Sequence, residues 1–256
     1  MSAAYAGRQG CLQSLELHLI DNGDNANELR ELLDQLQAPE NLRCTSVLHV
    51  GHGNIGFGQA HNLVIHQSAG TPDIPDPDDV WLVLNPDVFL EPDTLSTGIT
   101  WLQTHEQTVA VAPSILDGRG HAASACKRFP SVLDFLLRGF APGFIRKRFK
   151  NRMKHYDMAD LPTDRPTSDI PVISGCFMLF RQHTLQQLQG FDPGYFLYFE
   201  DFDLAIRAHR LGTLTYLPSM RITHLGGRSA RKGLNHILMF ARSGFRFFNA
   251  HGWRWL

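Results

Sequence analysis

Short apolar runs alternate with segments of helical spacing along the first half of the chain, and this alternation narrows the fold more than any other feature. Residues 15–20 (LELHLI) alternate in polarity and run into Asp21-Asn22-Gly23, residue types that end a strand in a turn. Residues 26–36 carry Leu29, Leu32, Leu33 and Leu36 at helical spacing among Glu and Arg. A second strand is predicted over 45–50, then the glycine-rich Gly51-His52-Gly53-Asn54-Ile55-Gly56-Phe57-Gly58, then a helix over 59–67. Residues 80–84 (VWLVL) are continuously apolar, the pattern of a strand buried on both faces. Asn85-Pro86-Asp87 ends that run, and a helix over 95–104 and a strand over 109–112 follow. The order predicts an α/β fold with a mixed, mainly parallel central sheet flanked by helices. Ligands of such sheets gather at the carboxyl ends of strands, where Asp21 and Asp87 stand.

The chain has 256 residues, 43% of them hydrophobic, which excludes a disordered tail or a small disulfide scaffold. We expect one domain, in two halves that meet near residue 125. Its net charge of −1 conceals a strong asymmetry. Residues 1–125 hold 16 acids and 4 bases, whereas residues 126–256 hold 9 acids and 20 bases. An anionic partner facing the second half would explain this, as would mutual neutralisation of the two halves. Cys11, Cys44, Cys126 and Cys176 are scattered, so neither a zinc site nor a disulfide framework is expected. No signal-peptide core and no run of about 20 apolar residues is present, and we expect a cytoplasmic protein.

Three clusters carry candidate chemistry. Asp87 can hold an oxygen-loving divalent cation, since Mg²⁺ takes one or two protein carboxylates plus phosphate oxygens; a plain turn is the simpler alternative. Glu200, Asp201 and Asp203 crowd three carboxylates among Phe196, Leu197, Tyr198 and Phe199. Mutual repulsion and burial there raise a carboxyl pKa and suit a general base; a solvated helix start is the alternative. His224 follows a predicted strand, and Arg228, Arg231 and Lys232 make the loop after it cationic enough for a diphosphate. Separately, seven bases between Arg138 and Lys154 interleave with Phe140, Phe144, Ile145, Phe149 and Met153. That pattern fits a helix lying in a lipid headgroup layer or one packing its aromatics on the sheet.

Taken in order, Asp21-Asn22-Gly23-Asp24, Asn54-Ile55-Gly56-Phe57-Gly58 to Asn62, Leu84-Asn85-Pro86-Asp87, Ser174-Gly175-Cys176 to Arg181, Gly190-Phe191-Asp192, Phe199-Glu200-Asp201-Phe202-Asp203-Leu204 to Arg207, and a late His224 form a series. The series resembles the inverting family-2 glycosyltransferases of the GT-A fold, in particular their rhamnosyltransferase-like branch, over about residues 15–250. The resemblance implies a Rossmann-like GT-A domain that moves a sugar, L-rhamnose from dTDP-L-rhamnose, to a glycan or lipid-linked acceptor. It places Asp21, Asn54, Gly56, Asn62, Asn85, Arg228, Arg231 and Lys232 at the donor. Ser174, Gly175, Gly190, Phe191, Asp192 and Arg207 fall at the acceptor side. Asp87 and His224 become ligands of Mg²⁺ or Mn²⁺. Asp201 becomes the general base, with Glu200 and Asp203 shaping its position.

Members of that family open with a further strand and helix, and residues 1–14 show no buried-strand pattern, so the first strand is expected to be missing. Two alternatives remain at this stage, a nucleotidyltransferase and a non-catalytic glycan-binding protein of the same fold. No nucleic-acid partner is expected. Contact with a membrane surface is expected through 138–154, while 245–255 (FRFFNAHGWRW) is expected mainly to pack on the domain.

Overall fold

A computed structural model describes residues 12–37, 42–69, 78–139, 141–226 and 234–256. The predicted alternation is present at its start: β1 (Ser14–Ile20), α1 (Ala26–Asp34), β2 (Arg43–His49), α2 (Phe57–Ala69), β3 (Val80–Leu84), β4 (Val88–Leu90), α3 (Thr94–Thr104) and β5 (Thr108–Asp117). Two short strands, β6 (Ala122–Ser124) and β7 (Cys126–Lys127), lead to three short helices, α4 (Val132–Gly139), α5 (Gly143–Arg148) and α6 (Lys150–Tyr156). The apolar stretch after residue 171 splits into β8 (Val172–Ile173) and β9 (Phe177–Arg181), with Ser174-Gly175-Cys176 between them. Then come α7 (Gln182–Gln187), α8 (Glu200–His209), β10 (Thr213–His224) and α9 (Leu234–His251).

The central sheet runs β3-β9-β5-β10-β4, with β6 added to β5. It is mixed, as expected, but parallel pairing does not dominate it. Strand β9 lies antiparallel between β3 and β5, so two strands of common direction are joined through an opposed one. Strand β10 is parallel to β5 and antiparallel to β4. The strands β1 and β2 form their own parallel pair. Among the described residues β1 and β3 are each hydrogen-bonded along one edge, and the rings of His18 and Trp81 stack 6.5 Å apart between them. This one-sided pairing leaves β3 less covered than its apolar run predicts, with Val83 alone fully buried. Residues 1–11, on which the missing-strand expectation in part falls, lie outside the described residues.

One large apolar cluster spans both halves of the chain, from Ile65 through Val83, Val111, Phe177 and Phe180 to Leu204, Tyr216 and Ile222. Arg181, the last residue of β9, is buried inside it and donates to the carbonyls of Leu102 and Thr108, closing the end of α3 and the start of β5. A second cluster is aromatic: Tyr195, Phe199, Phe247 and Phe248 are buried, with Phe129, Phe135, Phe202 and Phe240 packed on them. This cluster fastens α4 and α9 to the segment that leads into α8.

Candidate active site

The first turn of α8 carries Glu200, Asp201 and Asp203, as the sequence predicts. Tyr198 and Phe199, just before it, sit in the left-handed region with φ of 70° and 67°. For non-glycine residues this conformation costs about 1–3 kcal/mol each. Packing holds it, because the Phe199 ring lies 4.7 Å from Phe135, 5.1 Å from Phe240 and 5.3 Å from Phe247. The strained entry delivers the carboxylates at a chosen angle, with the helix dipole behind them.

The three carboxyl groups then diverge. Glu200 is buried and its Oε2 has no hydrogen-bond partner. Burial raises its pKa, and the neighbouring Asp201 charge adds to the rise. Asp201 is half-buried, and burial raises its pKa too, against hydrogen bonds donated to it by the Gly175 and Phe202 amides at 2.8 and 3.0 Å. Asp203 departs from the expectation of a shared upward shift. Its burial would raise the pKa, but a 2.8 Å contact with His251 Nε2 and an ion pair with Arg207 Nε at 2.7 Å outweigh that and hold it low. Of the three residues Asp201 is the least buried, while Asp203 is tied to Arg207 and His251.

Asp87 and His224 are brought together by the sheet. Val88 pairs with His224 in the β4–β10 ladder, and the Leu225 amide donates to the Asp87 carbonyl. His224 Nε2 lies 3.2 Å from Asp87 Oδ1, off the line of a hydrogen bond, and is otherwise unpartnered although buried. An orphaned imidazole nitrogen beside a half-buried carboxylate oxygen fits an open, two-ligand cation site completed by a substrate's oxygens. Among the described residues no group of three or more His, Cys, Asp or Glu forms a closed cage. The two clusters adjoin through the β8–β9 connection: the Asn85 amide donates to the Cys176 carbonyl, and the preceding Gly175 amide holds Asp201.

The glycine-rich loop reaches the same place. Gly56 has φ +87°, and a Cβ on it would stand 2.2 Å from the Phe196 carbonyl oxygen, so only glycine fits there. The Asn22 side chain bonds Gly56 and Ile55, tying the turn after β1 to this loop. Asn54 caps Gly56, and Asn85 keeps its side-chain amide without a protein partner among the described residues.

Several residues expected at the donor or acceptor also make hydrogen bonds within the chain. Asp21 is buried, and its two oxygens accept from the Gly23 and Asn25 amides. The Asn62 amide exchanges two 2.8 Å hydrogen bonds with the Phe191 backbone, and Phe191 itself is buried in the core. Asp192 is bidentate with Arg246 of α9, and Arg207 binds Asp203 and the Leu188 and Gly190 carbonyls. The Ser174 amide donates to the Ala125 carbonyl, and Gly175 lies against Asp201, where an added Cβ would meet the Asp201 Cβ at 3.0 Å. Arg228, Arg231 and Lys232 lie outside the described residues.

Two residues near the site escaped sequence reasoning. Lys127 is buried, bonds the Ser124 carbonyl and Asp157, and its charge favours ionised Asp201. Lys127, followed at once by Arg128, gave no signal of burial in the sequence. His251 offered none, since its partner Asp203 lies 48 residues away.

Comparison with known proteins agrees with this layout. No family model matches the chain. It is 29% identical over 204 residues to an N-acetylglucosaminyl-diphospho-decaprenol L-rhamnosyltransferase of Mycobacterium tuberculosis, covering 76% of this chain and 64% of that protein. It is 28% identical over 204 residues to the rhamnosyltransferase WbbL of Escherichia coli K12, covering 78% of this chain and 72% of the other. The chain thus spans just under two thirds of the mycobacterial relative. A solved structure of GalNAc-T7 with UDP, GalNAc and Mn²⁺ shares the fold, with a TM-score of 0.52 at 19% identity over 82% of this chain and 37% of the other. The chain is thus similar in sequence to two rhamnosyltransferases and shares its fold with a solved glycosyltransferase structure.

Proposed function

We propose that the chain is an inverting glycosyltransferase that moves a sugar from a nucleotide donor to a glycan or lipid-linked glycan at a membrane surface. The donor we propose is dTDP-L-rhamnose, with Mg²⁺ or Mn²⁺ held by Asp87 and His224. One observation carries the reading: the Asp201 carboxylate, clamped by the Gly175 amide, is joined through Cys176 and Asn85 to the Asp87–His224 pair. The names of the two relatives support the sugar and the acceptor class.

In the proposed reaction Asp201 accepts the acceptor hydroxyl proton while that oxygen attacks the anomeric carbon from the face opposite the nucleotide. A raised carboxyl pKa makes Asp201 a stronger base than a solvated aspartate. The Gly175 and Phe202 amides keep its lone pairs oriented. Asp87 and His224 would hold a divalent cation, which when bound would supply charge stabilisation for the departing diphosphate. Arg228, Arg231 and Lys232 are proposed to add to that stabilisation. No covalent nucleophile is needed.

The test is incubation with dTDP-L-rhamnose, or with UDP-sugars, plus a polyprenyl-diphosphate-linked N-acetylglucosamine acceptor, with Mn²⁺ or with a chelator. Metal-dependent transfer of rhamnose supports the reading. Absence of both transfer and nucleotide binding favours the non-catalytic alternative.

A further inference from the structure

The aromatic and basic segment between Asp134 and Asp157 contains no acid. Helix α5 buries none of its residues, and Phe144 is 74% exposed. Phe149 and, on α4, Leu136 also face outward. Two of the seven bases are spent on ion pairs, Arg138 with Asp157 and Arg152 with Asp134. Arg146, Lys147, Arg148, Lys150 and Lys154 have no carboxylate partner among the described residues.

The end of the chain extends this surface. The Val132 and Leu133 amides at the start of α4 donate to the Arg254 and Trp255 carbonyls. Trp253 stacks on Trp255 at 5.3 Å and meets the edge of Phe245 at 5.7 Å, and Trp255 and Phe245 are 65% and 61% exposed. Helix α4, about 12 Å long, therefore links an aromatic group at one end to the cationic, aromatic α5 at the other. The expectation for 245–255 is met only in part: Phe247 and Phe248 pack inside, while Phe245, Trp253 and Trp255 do not.

We infer that α4 to α6 and residues 245–255 form a docking face for an anionic lipid bilayer. Unpaired Lys and Arg alternate with outward Phe, Leu and Trp, which is the chemistry of a headgroup layer over acyl chains. A nucleic acid would satisfy the cations but not the projecting aliphatic and aromatic groups. Phe135 of α4 packs 4.7 Å from Phe199 and 6.3 Å from Phe202, so the face sits one packing layer from Asp201. That placement serves a lipid-linked acceptor and rests on the transferase reading; the lipid contact itself does not.

Co-sedimentation of the full chain with phosphatidylcholine vesicles, with and without 30% phosphatidylglycerol, tests the inference without any substrate. Binding is expected to the anionic vesicles at low salt, to weaken with salt, and to shift the exposed tryptophan emission to the blue. Each unpaired cation contributes about fivefold, so Arg146→Gln/Lys147→Gln/Arg148→Gln should weaken binding on the order of 100-fold. Phe144→Ser/Trp255→Ser should weaken it while leaving the salt dependence intact. All five side chains are exposed, and unchanged thermal melts confirm that these variants fold. Asp201→Asn should bind vesicles normally, which separates failure of this inference from failure of the transferase reading. No binding to anionic vesicles, equal binding to neutral ones, or tighter binding to duplex DNA or RNA would overturn it.

Discussion

Replacing Asp203 by Ala tests the claim that the three clustered carboxyl groups have different jobs. The carboxylate is buried, with Arg207 Nε at 2.7 Å and His251 Nε2 at 2.8 Å. Its removal leaves a partly buried guanidinium and a buried imidazole without their acceptor. Breaking a buried pair in this way costs about 3–5 kcal/mol, and the partial exposure of Arg207 argues for the lower end, about 3 kcal/mol. Asp203→Asn keeps the volume and one acceptor, and should cost about 1–2 kcal/mol. The pH dependence has a definite sign. Because the folded-state pKa of Asp203 lies below the ordinary 3.8, its stabilisation is present above that value and is lost as pH falls through the lowered one. Urea unfolding at pH 7 and again at pH 3 reads both quantities. A cost below about 1 kcal/mol at pH 7, or the same cost at both pH values, would refute the anchor role.

Other consequences follow from the same geometry. Glu200→Gln should stabilise the fold by about 1–3 kcal/mol at pH 8 and leave it unchanged near pH 4, because a carboxyl with a raised folded pKa weakens the fold only where it would ionise; thermal melts at the two pH values check this. Gly175→Ala should lower transfer at least tenfold with a modest stability cost, since its methyl would press on Asp201; a rate within twofold of the parent contradicts it. His224→Ala should weaken Mn²⁺-dependent dTDP binding by about tenfold or more while leaving the melt unchanged, read by calorimetry.

Much of the frame was legible because it is local. The run VWLVL has the pattern of a buried strand, and β3 has the predicted bounds. The motif residues Asp87, Asp201 and His224 could be named one by one, since each stands at an element end. What could not be read was who spends whose hydrogen bonds. Asn62, Asp192 and Arg207 pair with Phe191, Arg246, and Asp203 with the 188–190 turn, tertiary bonds that no local pattern announces. The antiparallel insertion of β9 between β3 and β5 was equally hidden, because periodicity reports burial and not strand order. Left-handed Tyr198 and Phe199 carry no sequence signal either; the aromatic cluster imposes that conformation from outside.

The central claim is that Asp201 removes the acceptor proton within an otherwise intact nucleotide site. Its most direct test is the rate of sugar transfer by Asp201→Asn beside calorimetric dTDP binding in the presence of Mn²⁺. Transfer reduced by about 1,000-fold or more with nucleotide affinity unchanged is the predicted result. Transfer retained within tenfold would contradict the account.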